Sequence, residues 1–402
     1  SHNTIKYLNK KTMKKSIRNA FGLLLLMSAV TFVSCSSDDN SSDNNQEQPG
    51  TGSEFVANPQ DFKGNIKSGT VTLDATKTYN LTGAITIENG ATLVVPAGTK
   101  IVGTGGTSSY IAVAQGGKIE VNGTATNPII MTSSSTTPGS WGGLVICGKA
   151  PINKAIPSQA EVTGLAYGGN DANDNSGSIK YLRIEYAGAN FSSEKEFNGL
   201  SLFGVGKGTK IEYVQIFNCS DDGIEFFGGT VDTKYIVSTG SEDDSFDWTE
   251  GWNGTNEYWF GQQRADIGNR GVEADNNSSN HTAAPISNPV ISNVTLIGRG
   301  EGSEPDAFKL RVGTLATINN VVLKDFSVGF NVEHDESIAG IENGTLKITN
   351  VKFENIATKS KGKNTAGTSV DVSGVYTESA SATGAGNGSS LPTWAQGWTV
   401  GL

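Results

Sequence analysis

The residues best placed to do chemistry in this chain are carboxylates set at a regular interval. Asp221 and Asp222 precede Glu225; Glu242, Asp243 and Asp244 precede Asp247; Glu273 follows one interval later. An oxygen-only set this dense, without a cluster of Cys or His, suits a hard cation such as Ca²⁺ better than zinc. Glu225, Asp247, Asp221, Asp243 and Glu273 are therefore the candidate metal ligands. The alternative reading is an ordinary acidic face whose Asp residues cap turns. Two enzyme readings use the same residues. A hydrolase needs an acid and a base about 6.5–9.5 Å apart for inversion, and Glu225 and Glu273, two intervals apart, come close to that. A lyase needs Ca²⁺ on the row and a base, for which Arg270 or Arg264 could serve. The chain's 3 histidines are His2, His281 and His334, and the Gly-His-Gly and Arg-x-Lys elements of polygalacturonases are absent. No catalytic residue is assigned; Glu225, Glu273 and Arg270 stand only as weak candidates.

The elements that must hold these carboxylates repeat. One short pattern reads polar, Tyr or Asn, apolar, variable, apolar. Its members include Lys180-Tyr181-Leu182-Arg183-Ile184, Glu212-Tyr213-Val214-Gln215-Ile216, Lys234-Tyr235-Ile236-Val237-Ser238 and Ser292-Asn293-Val294-Thr295-Leu296. A second pattern of small, apolar, polar, apolar follows each: Gly199-Leu200-Ser201-Leu202, Gly223-Ile224-Glu225-Phe226, Ser245-Phe246-Asp247-Trp248, Gly271-Val272-Glu273-Ala274, Ala307-Phe308-Lys309-Leu310 and Gly329-Phe330-Asn331-Val332. Two period-two strands alternating at a spacing near ~22 residues describe a chain coiling back onto itself. The expected fold is all-β, a parallel β-helix of roughly ten coils over residues 57–402, right-handed as in the known parallel β-helices that it resembles. A sandwich of hairpins would alternate strand direction and lacks this fixed two-motif order. Period two sends Leu200, Ile224, Phe246, Val272, Phe308 and Phe330 inward, with Trp248 beside them as core. It sends Ser201, Glu225, Asp247, Glu273, Lys309 and Asn331 outward as a row at about 4.8 Å spacing. Glu273 is then expected to pair with Lys309 and Asp275 with Arg311.

Composition agrees with a turn-dense β body. Of 402 residues, 51 are Gly, and only 17% are charged and 36% hydrophobic. No apolar run is long enough for a permanent membrane span. Net charge is −10, and it falls to about −16 once the basic front end is set aside, which disfavours nucleic acid and anionic lipid as partners.

That front end reads as targeting. Residues 1–12 are expected to be upstream sequence or a misplaced start. Met13-Lys14-Lys15-Ser16-Ile17-Arg18 is a charged start, and Ala20 to Val33 is a short apolar core, so residues 13–34 form a signal peptide. Phe32-Val33-Ser34-Cys35 resembles the lipobox of bacterial lipoproteins, which implies acylation at Cys35. Residues 35–56 are a polar tether. Its Ser36-Ser37-Asp38-Asp39-Asn40 run resembles the signal that sends Bacteroidetes lipoproteins to the outer face of the outer membrane.

Between Thr249 and Ala283, Trp252, Tyr258 and Trp259 are candidate ligand-binding rings that could stack on a glycan or a partner, or else pack the loop onto the body. Asn276-Asn277-Ser278-Ser279-Asn280 is expected to be a mobile tip. Thr393-Trp394-Ala395-Gln396-Gly397-Trp398 is expected to cap the last coil. Cys147 and Cys219, about 10 Å apart by strand spacing, are expected to stay free thiols.

Trp141-Gly142-Gly143-Leu144-Val145, Lys149-Ala150-Pro151-Ile152-Asn153, Asp221-Asp222-Gly223-Ile224-Glu225-Phe226-Phe227-Gly228-Gly229 and the Asp243-Asp244 repeat resemble a family of Bacteroidetes surface lipoproteins within the pectate-lyase-like superfamily. The resemblance implies a lipid-anchored, monomeric β-helix on the outer membrane. It implies service to an outer-membrane transporter, such as a TonB-dependent receptor, or binding of a glycan. Its enzymatic relatives imply the alternative of a Ca²⁺-dependent polysaccharide lyase or glycoside hydrolase.

Overall fold

The computed structural model describes residues 53–300 and 304–402. The signal peptide and Cys35 lie outside the described residues. Ser53–Leu402 forms one compact unit, and Phe55 already packs edge-on against Phe62 at 6.4 Å.

Nearly all strands belong to a single sheet of 24 strands that winds as a parallel β-helix. The second sequence pattern stacks in the expected register. Leu200 sits beside Ile224, Ile224 beside Phe246, Phe246 beside Val272, Val272 beside Phe308, and Phe308 beside Phe330. All of these side chains are buried in one continuous core, together with Trp248. Among the described residues the one antiparallel strand pair, Ser158–Gln159 with Ala166–Tyr167, lies in a loop that folds over the outer face of the early coils. There Ile152, Val162 and Tyr167 cover Val145, Cys147, Phe203 and Phe227. Both Cys147 and Cys219 are buried free thiols.

The first sequence pattern makes a corner. Its Tyr or Asn adopts a left-handed backbone at Tyr181, Tyr213, Tyr235, Tyr258, Asn293, Asn320 and Asn350, with φ between 54° and 69°. One strand is thereby bent into two faces, so each coil has three sides where sequence patterning shows two strand types. Asn tolerates this backbone; Tyr pays about 1 kcal/mol for it. The Tyr rings recover comparable energy by stacking, at 4.2 Å for Tyr181–Tyr213, 4.4 Å for Tyr213–Tyr235 and 4.9 Å for Tyr235–Tyr258. An aromatic pair is worth roughly 0.5–1.5 kcal/mol beyond the area it buries.

Residues 383–400 lie across this corner and correct the expected terminal cap. Asn320 Oδ1 accepts from the backbone N–H of Thr383 and Gly384, and Trp394 packs on Tyr235. Farther along, Trp398 meets the edges of Tyr213 and Tyr181, and its carbonyl accepts from Arg183 Nη1. The tail thus runs back over the coils as a strap. The strand Thr358–Lys363 near the C-terminal end of the sheet carries exposed Lys359, Lys361 and Lys363 instead, charges that discourage edge-to-edge pairing.

Three further expectations change. Trp252 and Trp259 are fully buried, not displayed on a loop. Trp259 follows the left-handed Tyr258 and so points inward, in register with Ile236 and Val294. It stacks on Phe246 at 4.2 Å, while Trp252 stacks on Phe226 at 3.7 Å. Both indole N–H groups are satisfied, by Thr233 Oγ1 and the Val231 carbonyl. Tyr258 is half-buried in the ladder beneath the strap. Asn276 is a buried hub and not a mobile tip: its Oδ1 accepts from Asn153 Nδ2 and Ser287 N–H, and its Nδ2 donates to two carbonyls.

Trp398, at 1% exposure, is the anchor of the strap. Trp398→Ala is expected to destabilise the protein by about 3–5 kcal/mol, read from the denaturant midpoint, with faster amide exchange in the strand Lys210–Phe217. An unchanged midpoint would mean that the strap contributes nothing to the solenoid.

Candidate functional site

Two columns of polar side chains run side by side on the outer face of the second strand type. One lies in the strands: Ser201, Glu225, Asp247, Glu273, Lys309 and Asn331, in register. The other lies three residues earlier, in the turns: Asn198, Asp222, Asp244, Arg270 and Asp306. Turn residues are linked coil to coil through the backbone. Asp222 Oδ1 accepts from Asp244 N–H at 3.0 Å, and Asp244 Oδ1 accepts from Arg270 N–H at 2.9 Å. Gly223 lets these coils close up, because a Cβ there would lie 2.1 Å from Ser238 Oγ.

Although these side chains point away from the core, they are not a solvated face. Glu225, Glu273, Asp222, Asp244, Arg270, Asp306 and Lys309 are all buried. The later rungs balance their charge. Arg270 Nη1 lies 2.7 Å from Glu273 Oε2 and Nη2 lies 2.8 Å from Glu304 Oε1. Arg311 binds the other oxygen of Glu273 at 2.6 Å and Asp275 at 2.8 Å. The expected Asp275–Arg311 pair is present. Glu273, expected beside Lys309, is bound by Arg270 and Arg311, and Lys309 binds Glu333.

The earlier rungs are acidic in both columns. One oxygen each from Asp222, Asp244 and Asp247 come within 4.8 Å of one another, and Asp221, Asp222 and Asp243 form a second such group that shares Asp222. Carboxylates ~5 Å apart repel by about 1 kcal/mol in water and about 3 kcal/mol at an effective dielectric constant near ~20. Asp247 registers this field. Burial first, then Glu225, Asp222, Glu273 and Asp244, hold its carboxyl well above the usual range. Nearby, the protein offers no hydrogen-bond partner to the buried oxygens Asn198 Oδ1 and Asn269 Oδ1. Asn198 already donates to Glu225 at 2.8 Å, and Asn269 to Asp243 at 2.9 Å. An oxygen-rich enclosure with raised carboxyl pKa fits a hard divalent cation.

The structure therefore redistributes the ligands expected from sequence. Asp221 and Asp243 are brought together in one group and Asp247 stands in the other, the two being joined through Asp222. Glu225 is turned toward Asn198 and Glu273 is clamped by two arginines. Asp222 and Asp244 are the central members that the sequence reading left among the turn residues. Their signal was the i, i+3 spacing Asp222 to Glu225, Asp244 to Asp247 and Arg270 to Glu273, which pairs a turn column with a strand column. Arg264 is elsewhere engaged, with Glu242 and Asp266. Arg270 is 3% exposed.

A raised pKa fixes the sign of a pH effect. Stability from the neutral Asp247 is fully present below the unfolded carboxylate value of about 3.9 and is lost as pH rises through the raised value. Asp247→Asn is thus expected to raise the melting temperature in chelator at neutral pH and to leave it nearly unchanged near pH 4. A lower melting temperature at neutral pH in chelator would contradict the repulsion.

Residues 64–399 match the family model described as a pectate-lyase like beta helix domain. Compared with curated proteins and with solved structures, the chain finds no match. The stacked coils, the buried ladder and the match over nearly the whole described chain lead to one assignment. The chain belongs to the family of pectate-lyase-like β-helix domains.

Proposed function

We propose that this chain is a non-enzymatic binding protein of the cell surface, a monomeric outer-membrane lipoprotein acylated at Cys35 whose β-helix holds Ca²⁺. The convergence of Asp222, Asp244 and Asp247 carries the reading. Ca²⁺ takes six to eight oxygen ligands, more than three carboxylates supply when each gives one oxygen. Asp247 and Asp221 keep partial solvent contact, so an ion at this site would retain positions for water or for the hydroxyl and carboxylate groups of a glycan. An outer-membrane transporter is the other partner that the anchor would bring within reach. Trp252 and Trp259 no longer contribute a binding surface, since both are core.

A Ca²⁺-dependent lyase or glycoside hydrolase on the same scaffold receives less support. Arg270 is neutralised by Glu273 and Glu304 in a buried pocket, and those partners raise its pKa against the opposing effect of burial. A guanidinium held in its charged form cannot accept a proton. Both oxygens of Glu273 are taken up in ion pairs with Arg270 and Arg311, a poor position for a general acid.

Calorimetric titration of CaCl₂ into residues 53–402 tests the site. Binding is expected in the wild type and is expected to vanish in Asp222→Asn/Asp247→Asn; no binding in the wild type would remove the cation from the reading. Cleavage of an acidic polysaccharide by the Ca²⁺-loaded protein would favour the enzyme instead. Fatty-acid labelling of the full chain checks the anchor: label is expected on the wild type and lost in Cys35→Ser.

A further inference from the structure

Three segments meet away from the acidic columns: the loop of residues 276–287, the turn Val312–Thr314, and the helix Asp335–Asn343. Two residues there hold uncommon backbone conformations. His334, at the helix N-cap, has φ 77° and ψ 144°, and Val312 has φ 46°. Neither suits a side chain of its type, and such positions persist only when their surroundings hold them.

A single hydrogen bond joins the two. Val312 N–H donates to His334 Nδ1 at 3.0 Å. A ring nitrogen that accepts carries no proton, so this bond requires neutral His334 with its hydrogen on Nε2. His281, from the loop, lies 4.8 Å away ring to ring and places Nδ1 2.9 Å from Glu336 Oε2 on the helix. Gly313 N–H donates to Ser337 Oγ at 3.0 Å, and a Cβ on Gly313 would lie 1.9 Å from the His281 carbonyl. Loop, turn and helix are thus in direct contact.

We propose that His334 is an acid-operated latch that pins the start of the helix Asp335–Asn343 to the turn Val312–Thr314 at neutral pH and releases it on acidification. Protonating His334 Nδ1 puts an N–H where the Val312 N–H needs an acceptor, and it sets a cation beside His281. The charges facing His334 are His281 from the loop, Lys309 from the strand Asp306–Arg311, and Glu333, Asp335 and Glu336 along its own segment. Lys363, in the strand Thr358–Lys363, accepts the His334 N–H through its carbonyl. Lys309 is paired with Glu333 and Arg311 with Glu273 and Asp275. Burial, then His281, lowers the His334 pKa, against Glu333 and Glu336. Latch stability is therefore complete above the unfolded value of about 6.5 and is lost as pH falls through the lowered folded value.

Hydrogen exchange of residues 53–402 at pH 7.5 and 5.5, corrected for intrinsic rates, tests the latch. Protection at Val312, Gly313 and Ile338 is expected to fall by about tenfold or more at the lower pH in the wild type. In His334→Gln, which keeps an acceptor but cannot titrate, protection is expected to be the same at both. Equal protection at both pH values in the wild type, or an equal loss in His334→Gln, would overturn the proposal. Should that variant fail to fold, ¹⁵N NMR of the wild-type imidazoles decides. The Nε2-protonated neutral form of His334 is expected at pH 7.5, and a ring protonated on Nδ1 would sink the latch.

Discussion

Everything in this molecule depends on one spacing, the ~4.8 Å that parallel backbone hydrogen bonding imposes between successive coils. Stacked in register, a residue is placed over its equivalent whether or not the two attract. Inside the coil this multiplies favourable contacts: Ile224, Phe246, Val272 and Phe308 form one apolar column. On the outer face it sets Glu225 beside Asp247 and Asp247 beside Glu273, a row of like charges. The hydrogen bonds of many rungs hold the columns at that distance, so the charges must find an accommodation in place.

Two accommodations are visible along the same columns. In the later rungs arginine enters: Arg270 takes a turn position and Arg311 a strand position, and between them they bind Glu273. In the earlier rungs the columns stay acidic, Asp222, Asp244 and Asp247 converge, and the carboxyl of Asp247 resists ionisation because burial and its neighbours disfavour a further charge. Buried carboxylates that repel are a cost to folding that a bound cation would turn into an attraction. The family's fold supplies the scaffold for such an arrangement but does not specify an activity. The engagement of Arg270 and Glu273 in ion pairs is what tilts the reading toward binding.

Much of this was legible from residue types alone, because a parallel β-helix expresses its register as period-two alternation. The inward set, the outward row and the Asp275–Arg311 pair could all be read that way. What could not be read has identifiable causes. The positive φ at Tyr181, Tyr213, Tyr235 and Tyr258 is unusual for Tyr, so a bent strand looked straight and three faces looked like two. Trp259 seemed to belong to a loop because its strand lacks the usual apolar endpoint; Gly261 stands there instead, facing Leu296 and Phe246. The strap was hidden because Trp394 and Trp398 find their partners far back along the chain. Matching Glu273 to its rung neighbour Lys309 does not reveal Arg270 and Arg311, which reach it from a turn and from an adjacent strand position.

Asp222, Asp244 and Asp247 bring one oxygen each within 4.8 Å of one another, close enough for a hard cation to bridge all three. Anomalous diffraction from crystals of residues 53–402 soaked with a lanthanide, used as a heavy substitute for Ca²⁺, tests this directly. The account predicts a strong peak within coordination distance of all three carboxylates. A peak confined to exposed carboxylates elsewhere, or none at these three residues, would contradict it.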